Sequence, residues 1–330
     1  MNVEEWFDKY QFKCDSYRDL KSLVKTKREK KLKISVVIPT LNEADNIGHV
    51  IETLKPLMTK AKLVDEIMIV DSGSTDDTEK IVKEKGAKFF LSEKYLKSVG
   101  KARGKGENLW KSIYLAEGDI IVWVDADIKN IHPRFVYGLV GPLLTHDDLK
   151  FTKAFYERPI KTGKELMPLG GGRVTELTGR PLFNMYFPRL SGFIQPFSGE
   201  FAIRREVAER IPFFIGYGVE TGMLIDIVQK FGLRACAQVD LKKRVHRNQS
   251  LQSLSKMSFG ILQVFANRAD KLGKLVLVRE PKKKYRQISH DEKGNYYISE
   301  LKIDERQRPP MIIIDDYRKK FKKEPSWMYV

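Results

Sequence analysis

Two aspartates, Asp125 and Asp127, stand two residues apart at the end of DIIVWVDAD, the most apolar stretch of the chain. Paired carboxylates at the end of a buried strand are costly unless a positive charge compensates them. Mg²⁺ or Mn²⁺ prefers oxygen ligands and commonly bridges a carboxylate to substrate phosphates, which stabilises a departing diphosphate. The pair therefore indicates a divalent-cation site for phosphate chemistry, although an isolated Asp-x-Asp is more often a turn or a helix cap.

Polar residues also follow two earlier apolar runs. Thr40 ends the run ISVVIPT and residues 41–43 follow it. Asp71 ends the run DEIMIVD and residues 72–77 follow it. Ligands of parallel sheets bind at the carboxyl ends of the strands, so we expect the three polar stretches to share one site. Residues 71–77 equally suit an N-capping turn for the next helix, and the two interpretations are compatible.

Two glycine-rich stretches are candidates for anion binding. Lys105 lies in GKARGKGENLWKS, where glycines permit close backbone approach and lysines supply charge, which is a weak indication by itself. In GGGRVTELTGRPL, Arg173 follows three glycines and is suited to bind a phosphate or carboxylate bidentately, with Thr175 and the Gly172 amide as neutral donors. Glycine triplets are more often flexible surface loops, which is the alternative interpretation.

The elements that would position these residues alternate between strand and helix. The runs ISVVIPT, DEIMIVD, AKFFLS and DIIVWVDAD predict strands separated by helical patterns, and FSGEFAIRREV predicts a further strand that leads into a helix. This alternation predicts an α/β fold with a mostly parallel central sheet covered by helices. The tail from residue 274 is compatible with a β-hairpin arm, a dimer contact or a partly disordered segment.

VVIPTLNEADNI, IVDSGSTDDTEKI and the Asp125 and Asp127 pair together resemble the nucleotide-binding half of GT-A glycosyltransferases. The resemblance implies a GT-A type nucleotide-sugar-binding sandwich, with a helical and extended C-terminal region added to it. It also implies a donor site in which Asp125 faces the ribose and Asp127 holds the metal ion. The other residues that it places around the donor are Pro39, Thr40, Leu41, Glu43, Ser72 and Ala126.

An ordered set of further motifs resembles the glucosyl-3-phosphoglycerate synthase family over roughly residues 34–265, namely KGENLWKS, PFSGEFAIRRE, GYGVETGMLID and RVHRNQSL. The resemblance implies that Lys105 contacts the donor nucleotide and that His246 is a second metal ligand. It assigns catalytic roles to Asp127, Glu220 and Arg173. The acceptor residues that it implies are Gly172, Arg173, Thr175, Tyr217, Glu220 and Asn248.

The family implies transfer of glucose from an NDP-glucose, with UDP-glucose the expected donor, to the 2-hydroxyl of 3-phosphoglycerate. The product is glucosyl-3-phosphoglycerate, a precursor of the compatible solute glucosylglycerate. Transfer in the family retains the donor configuration, and no residue stands out as the nucleophile of a double displacement, so we expect a front-face substitution. The alternatives are a mannosyl-3-phosphoglycerate or glucosylglycerate synthase, then a polyprenyl-phosphate glycosyltransferase, a basic nucleic-acid-binding protein or a domain that only binds nucleotide sugars.

The chain of 330 residues carries 60 Lys and Arg against 43 Asp and Glu, a formal charge of +17. Such a field attracts anions. We expect phosphorylated metabolites rather than nucleic acid, because the basic runs at residues 25–33, 281–286 and 318–323 carry no recognition motif. The two cysteines, an N-terminus without a signal-peptide pattern and the lack of an apolar run of about 20 residues predict a cytoplasmic protein without membrane insertion.

We expect one main domain with an extension at each end. Residues 1–33 form a predicted N-terminal helical extension, and residues 34–150 form the nucleotide-sugar-binding half of the GT-A domain. Residues 151–273 form the acceptor-binding half. Residues 274–330 form a C-terminal extension whose mixture of apolar and charged patches favours a contact in a homodimer.

Overall fold

The structure is a computed structural model that describes residues 1–158, 160–162, 165–167, 172–245 and 249–324, with the backbone alone at 160–162 and 165–167. The strands are, in chain order, β1 (Gln11–Lys13), β2 (Ile34–Thr40), β3 (Glu66–Asp71), β4 (Lys88–Leu91), β5 (Ile120–Trp123), β6 (Phe151–Glu157), β7 (Ile160–Thr162), β8 (Glu165–Met167), β9 (Phe201–Arg204), β10 (Phe213–Phe214), β11 (Cys236–Lys243), β12 (Lys284–His290), β13 (Tyr296–Lys302) and β14 (Gln307–Arg308). The α-helices are α1 (Val3–Lys9), α2 (Leu20–Glu29), α3 (Ala44–Thr59), α4 (Thr78–Glu84), α5 (Lys105–Leu115), α6 (Arg134–Thr145), α7 (Arg180–Tyr186), α8 (Arg205–Ala208), α9 (Val219–Phe231), α10 (Leu251–Lys271) and α11 (Asp315–Phe321).

The central sheet of the described residues has the strand order β1-β11-β6-β9-β5-β2-β3-β4. Neighbouring strands pair in parallel except β9, which is antiparallel to both β5 and β6. The strands β2, β3 and β5 are buried along almost their whole length. Continuous apolar strands of this kind are typical of parallel sheets covered on both faces. The structure therefore confirms the mostly parallel α/β architecture that the alternation of apolar runs predicts.

Asp76 joins the helices that follow β2 and β3, α3 and α4. Its Oδ1 accepts a hydrogen bond from the amide of Thr78, the first residue of α4, at 3.1 Å. Its Oδ2 accepts from the amide of Ala44, the first residue of α3, at 3.0 Å. A carboxylate that satisfies free amides at helix starts stabilises both helices. The capping role predicted for residues 71–77 is therefore present in the structure.

The N-terminal residues are part of the core of the protein. The strand β1 pairs in parallel with β11 and completes one edge of the sheet. Trp6 is fully buried, its Nε1 donates to the Cys236 carbonyl at 2.8 Å, and its ring lies 4.6 Å from that of Phe193. Lys27 forms an ion pair with Asp65 at 2.6 Å. The predicted helical extension thus includes a sheet strand, and the division of the chain into four segments stays a prediction.

The C-terminal residues form an antiparallel hairpin and a segment that returns to the main body. The strand β12 pairs with β13 throughout their length, so the tail has the β-hairpin form among those compatible with its sequence. Tyr285 packs against Phe259 of α10 with 5.2 Å between ring centroids. After the hairpin, β14 pairs with β10. None of the helices in the described part of the chain has the length and apolar character that a membrane crossing requires.

Candidate active site

A cavity of about 600 Å³ opens at the carboxyl ends of β2, β3 and β5. One wall, the strand-end edge, consists of residues 39–43, 72 and 125–127, and the opposite wall, the loop side, consists of residues 172–175 and 216–220. The predicted site residues that line the cavity are Pro39, Thr40, Leu41, Glu43, Ser72, Lys105, Asp125, Ala126, Asp127, Gly172, Arg173, Thr175, Tyr217 and Glu220. The predicted His246 and Asn248 lie outside the described residues. The structure therefore brings together all the predicted site residues that it describes, while their individual roles stay predictions.

Hydrogen bonds between neighbouring loops fix the strand-end edge. Thr40 Oγ1 donates to Asp71 Oδ2 at 2.7 Å, and the Asn42 amide donates to Ser74 Oγ at 2.7 Å. The Asp71 carboxylate also accepts from the amides of Gly73 and Ser74. Gly73 has a φ of +98°, a conformation that favours glycine. The ends of β2 and β3 are thereby joined into one rigid wall.

Lys105 connects the strand-end edge to the loop side. It is the first residue of α5, and its Nζ lies 2.7 Å from Asp125 Oδ1 and 2.8 Å from Glu220 Oε1. Burial opposes the charge of Lys105, but the two carboxylates outweigh burial and raise the pKa of the amine. Burial likewise opposes the charge of Asp125, but Lys105 and Arg244 hold the pKa of Asp125 below its usual range. Lys105 and Asp125 are therefore both charged at neutral pH.

Arg244, which follows β11, contacts three carboxylates at once. Its Nη2 lies 2.7 Å from Asp127 Oδ1, 3.1 Å from Asp125 Oδ2 and 3.4 Å from Glu200 Oε1. Burial disfavours the charged guanidinium, but the carboxylates outweigh burial and raise the pKa of Arg244. A buried charge of this kind is stable only when it is well compensated. Arg244 therefore fixes the positions of both aspartates.

A buried network behind Arg244 holds Glu200 in place. The Tyr156 hydroxyl donates to Glu200 Oε2 at 2.5 Å and accepts from Arg158 Nη2 at 2.9 Å. Burial raises the pKa of Tyr156 to about 12, so the phenol keeps its proton and remains a donor. Burial also raises the pKa of Glu200. The Tyr156 phenol therefore holds Glu200 beside Arg244 without losing its own proton at neutral pH.

Glu43 brings a titratable carboxyl group to the strand-end edge. Burial, followed by the negative charges of Asp127 and Asp125, raises the pKa of Glu43 to about 7. Its backbone amide donates to Thr78 Oγ1 at 3.0 Å, which fixes the loop that carries it. At neutral pH the protonated and ionised forms of Glu43 are both populated. Glu43 is therefore able to donate or to accept a hydrogen bond from a polar ligand in the cavity.

The loop side presents a half-buried arginine behind a glycine. Gly172 has a φ of +88°, so a residue with a Cβ would be strained there. Arg173 Nη2 donates to the carbonyl of Gln249 at 3.1 Å, which joins this loop to the segment before α10. Thr175 is buried behind Arg173, and Tyr217 projects from the facing loop with 58% of its surface exposed. A guanidinium held in this way can bind an anion with its remaining N–H groups.

Comparison with known proteins identifies the family. Residues 35–211 match the model of glycosyl transferase family 2. The chain is also 51% identical over 317 residues to the glucosyl-3-phosphoglycerate synthase of Petrotoga mobilis, covering 96% of this chain and 97% of that relative. The chain belongs to the glucosyl-3-phosphoglycerate synthase family. It is therefore a glycosyltransferase, as the motifs predict.

Solved structures of similar proteins agree with this family. Mannosyl-3-phosphoglycerate synthase from Rubrobacter xylanophilus matches with a TM-score of 0.85 and 36% identity, over 93% of this chain and 98% of that chain. Glucosyl-3-phosphoglycerate synthase from Mycobacterium tuberculosis, in complex with Mn²⁺, UDP and glucosyl-3-phosphoglycerate, matches with a TM-score of 0.77 and 39% identity, over 88% and 94%. These matches confirm the predicted GT-A type fold of this glucosyl-3-phosphoglycerate synthase family member.

The strand-end edge of this family member has the chemistry of a divalent-cation site. Asp125 and Asp127 bring carboxylate oxygens to the cavity wall, and oxygen is the ligand that Mg²⁺ prefers. The side chain of Asp127 is 38% exposed, so its carboxylate is accessible from the cavity. Within the described residues, no group of three or more His, Cys, Asp and Glu side chains is placed to hold a metal ion. The predicted second ligand, His246, lies outside those residues.

Sequence reasoning did not select three arginines that line the cavity, Arg103, Arg158 and Arg244. Two of them lie inside quoted motifs, since Arg103 is part of GKARGKGENLWKS and Arg244 begins RVHRNQSL. Their position inside these motifs could have indicated that both arginines belong to the site. Arg158 follows β6 outside any motif, so only the fold reveals its position. The three guanidinium groups add positive charge to a cavity of a family that handles phosphorylated substrates.

Proposed function

We propose that the protein transfers glucose from UDP-glucose to the 2-hydroxyl of 3-phosphoglycerate, which gives glucosyl-3-phosphoglycerate and UDP. The observation that carries this proposal is a single cavity with a carboxylate cluster on one wall and Arg173 on the other. UDP and glucosyl-3-phosphoglycerate, the two products of such a transfer, are bound together in the M. tuberculosis relative. The 51% identity to the P. mobilis synthase supports the same donor and acceptor here.

The strand-end edge is the proposed donor site. Ser72 and the residues at the end of β2 would surround the nucleoside, and Asp125 would face the ribose. Asp127 and His246 would hold Mg²⁺ or Mn²⁺, whose charge stabilises the leaving diphosphate. Lys105 already lies beside Asp125 at 2.7 Å, so its ammonium is placed to add charge at the same diphosphate.

The loop side is the proposed acceptor site. The guanidinium of Arg173 would bind the phosphate or carboxylate of 3-phosphoglycerate, with the Gly172 amide and the Thr175 hydroxyl as further donors. Tyr217, Glu220 and Asn248 would orient the remaining polar groups. Because Glu220 is paired with Lys105 at 2.8 Å, the same ion pair connects the acceptor to the donor. Both substrates would then meet at the centre of one cavity.

We further propose that transfer retains the α configuration of the donor by front-face substitution. The bond from glucose C1 to the diphosphate oxygen breaks while a bond from C1 to the acceptor 2-oxygen forms on the same face. The acceptor proton passes to a donor phosphate oxygen. The pairing of Glu220 with Lys105 supports a role for this carboxylate in binding rather than as a nucleophile.

Mannose is the second candidate sugar. The observation that favours it is the TM-score of 0.85 with the R. xylanophilus mannosyl-3-phosphoglycerate synthase. Glucose and mannose differ in the configuration of one hydroxyl, which a pocket distinguishes by hydrogen bonds. We place glucose first because the P. mobilis glucosyl-3-phosphoglycerate synthase is 51% identical, compared with 36% for the mannosyl enzyme.

A donor-by-acceptor panel tests these assignments. The purified protein is assayed with UDP- and GDP-linked glucose and mannose against 3-phosphoglycerate and glycerate, in Mg²⁺, Mn²⁺ or EDTA. We expect nucleotide release with UDP-glucose and 3-phosphoglycerate that EDTA abolishes. Turnover with mannose donors would move the assignment to the mannosyl activity, and turnover with glycerate alone would make the protein a glucosylglycerate synthase. No turnover by folded protein would contradict the proposed acceptor and favour a lipid-phosphate acceptor.

We also infer a cytoplasmic homodimer. The two cysteines, Cys14 and Cys236, are both buried and unpaired, which suits a reducing compartment. On the hairpin, Ile288 and Ile298 are paired across the strands, and each exposes about two thirds of its surface, 69% and 66%. Exposed apolar residues on an arm that projects from the main body favour contact with a second copy. Sedimentation analysis of the full chain measures the oligomeric state.

A further inference from the structure

The segment after the hairpin, residues 304–309, lies behind the cavity and is called the C-terminal strap. Its strand β14 pairs antiparallel with β10. The Ile215 amide donates to the Arg306 carbonyl at 2.9 Å, which continues this pairing toward the loop before α9. The sequence motifs end before the strap, at about residue 265. The C-terminal strap therefore lies outside every motif that contributes residues to the cavity.

Glu305 of the C-terminal strap binds the loop that carries Tyr217. Its Oε2 accepts from the Gly216 amide at 3.0 Å, and its Oε1 accepts from the Gly218 amide at 3.2 Å. A Cβ added at Gly216 would lie 2.3 Å from Glu305 Oε1, and one added at Gly260 would lie 2.8 Å from the same atom. Glycines on both sides thus leave the space that the carboxylate occupies. Glu305 fixes the backbone on either side of Tyr217 and just before Glu220.

Arg308 of the C-terminal strap binds the segment that carries Lys105. Its Nε lies 2.7 Å from Glu107 Oε2 and its Nη2 lies 3.0 Å from Oε1, which is a bidentate ion pair. The same guanidinium donates to the carbonyl of Val99 and, at 2.7 Å, to that of Gly100. Arg308 therefore holds both the chain that enters α5 and the first turn of that helix, where Lys105 lies.

The two segments held by the C-terminal strap also touch each other. The Glu107 amide donates to the Ile215 carbonyl at 3.1 Å. A Cβ at Gly104 would lie 2.3 Å from the Ile215 carbonyl oxygen, and one at Gly106 would lie 1.8 Å from that of Phe214. This contact brings Lys105 within 2.8 Å of Glu220. The strap thus covers the junction between the donor and acceptor segments.

We propose that the C-terminal strap positions both sides of the cavity, with Glu305 acting on the acceptor loop and Arg308 acting on Lys105. Both are positioning residues, because Glu305 binds the backbone beside Tyr217 and Arg308 binds the segment that carries Lys105, while neither side chain lines the cavity. The proposal rests on the proposed function for its assignment of Lys105 to the donor and of Tyr217 and Glu220 to the acceptor. Preorganised segments of this kind reduce the cost of binding.

Replacing Glu305 tests the acceptor half of the proposal. Glu305→Ala removes both acceptors of the Gly216 and Gly218 amides. We expect the KM for 3-phosphoglycerate to rise about tenfold, while the KM for UDP-glucose changes by less than about twofold. Glu300→Ala is the matched control, because it removes a carboxylate that pairs with Lys284 on the exposed hairpin. The control is expected to change neither KM.

Replacing Arg308 tests the donor half. Arg308→Lys keeps a positive charge opposite Glu107 but lacks the planar fork that also binds the Val99 and Gly100 carbonyls. We expect the reverse pattern, in which the KM for UDP-glucose rises about tenfold and that for 3-phosphoglycerate changes by less than about twofold. Arg286→Lys on the exposed hairpin is the control. Parallel rises in both KM values for both strap variants would overturn the proposal.

Hydrogen–deuterium exchange of the substrate-free proteins gives a second readout that needs no turnover. We expect faster exchange in residues 213–218 of Glu305→Ala and in residues 99–107 of Arg308→Lys, with wild-type rates in both controls.

If Glu305→Ala does not fold, Glu305→Gln, which keeps one carbonyl oxygen, replaces it. Unchanged exchange in these segments would overturn the proposal. Local exchange changes in a protein without turnover on any substrate would support the strap and contradict the proposed function.

Discussion

The strand-end edge and the loop side of the cavity differ in how the chain holds them in place. At the strand-end edge, site residues directly follow buried parallel strands, and side-chain bonds such as that from Thr40 to Asp71 join adjacent loops. On the loop side, Arg173 is held by a carbonyl 76 residues away in the chain, and Tyr217 lies in a loop bound by Glu305. The strand-end edge takes its rigidity from the buried strands of the central sheet and from Arg244, whereas Arg173 and Tyr217 on the loop side are held by segments outside that sheet.

Substitutions at the strand-end edge should therefore affect mainly the chemical step, whereas substitutions on the loop side should affect mainly substrate affinity. A change at a rigid wall removes a charge without moving its neighbours, so its main effect falls on the transition state. A change on a wall held by distant contacts alters how well a ligand is oriented before reaction.

Asp127→Asn should have the largest effect on activity. The amide keeps the shape of the side chain but removes the negative charge proposed to hold the metal ion. We expect kcat to fall about 1000-fold and Mn²⁺ affinity to fall with it, while the melting temperature stays close to that of the wild type. Asp77→Asn, at an exposed aspartate outside the cavity wall, is the control. Near-normal turnover of Asp127→Asn would break the assignment of chemistry to the strand-end edge.

Arg244→Met should have the largest effect on stability. Removal of the guanidinium leaves the buried Glu200 and the half-buried Asp125 without their shared partner. We expect the free energy of unfolding to fall by about 3–5 kcal/mol in urea titrations. Arg286→Met, which breaks an exposed pair on the hairpin, is expected to leave the free energy of unfolding nearly unchanged. Equal losses in the two variants would show that the edge owes no rigidity to Arg244.

Arg173→Lys should weaken acceptor binding while leaving the strand-end edge intact. Lysine keeps the charge but cannot form a bidentate contact with a phosphate or carboxylate. We expect the KM for 3-phosphoglycerate to rise about 10- to 100-fold, with little change in the KM for UDP-glucose. Initial-rate kinetics with each substrate varied in turn measure both constants. A larger change in the donor KM would contradict the assignment of Arg173 to the acceptor.

Lys153, a buried residue of the central strand β6, should make stability depend on pH. Burial lowers the pKa of Lys153 to about 7, from its ordinary value of 10.5. Between these values the unfolded chain binds more protons than the folded chain, so stability rises with pH by up to about 1.4 kcal/mol per unit. Urea unfolding at about pH 7.5 and about pH 9.5 measures this rise. The Lys153→Met variant should not show this rise. If the free energy of unfolding changed with pH equally in the wild type and the variant, a neutral Lys153 would be contradicted.

The grouping of the strand-end edge could be predicted from the strand pattern, whereas the loop-side residues Gly172, Arg173 and Thr175 were indicated by a glycine-rich motif and by the family resemblance. The strands of the edge are short continuous apolar runs, and a buried parallel strand leaves that pattern wherever it occurs. The polar residues just after each run, such as Glu43, Ser72 and Asp127, then fall at one edge of the sheet by topology alone. This is why the fold and the grouping of these residues were both accessible before the structure.

The remaining features depend on contacts that leave no local pattern. Arg244 meets Asp125 across 119 residues, and Arg308 meets Glu107 across 201 residues. The strand β1 has three residues, too few to show a period, and its pairing with β11 is set by the fold. Without a motif after α10, sequence gave no reason to select Glu305 or Arg308. Such residues become visible only when the chain is folded.

Product analysis by NMR measures the proposed transfer itself. The protein is incubated with UDP-glucose, 3-phosphoglycerate and Mn²⁺, and the released nucleotide and the carbohydrate product are both identified. We predict one UDP for each glucose transferred and a single α-glucosidic linkage to the 2-oxygen of 3-phosphoglycerate. Hydrolysis of UDP-glucose without a glycoside, or a linkage of inverted configuration, would contradict the account of one cavity that brings both substrates together for retaining transfer.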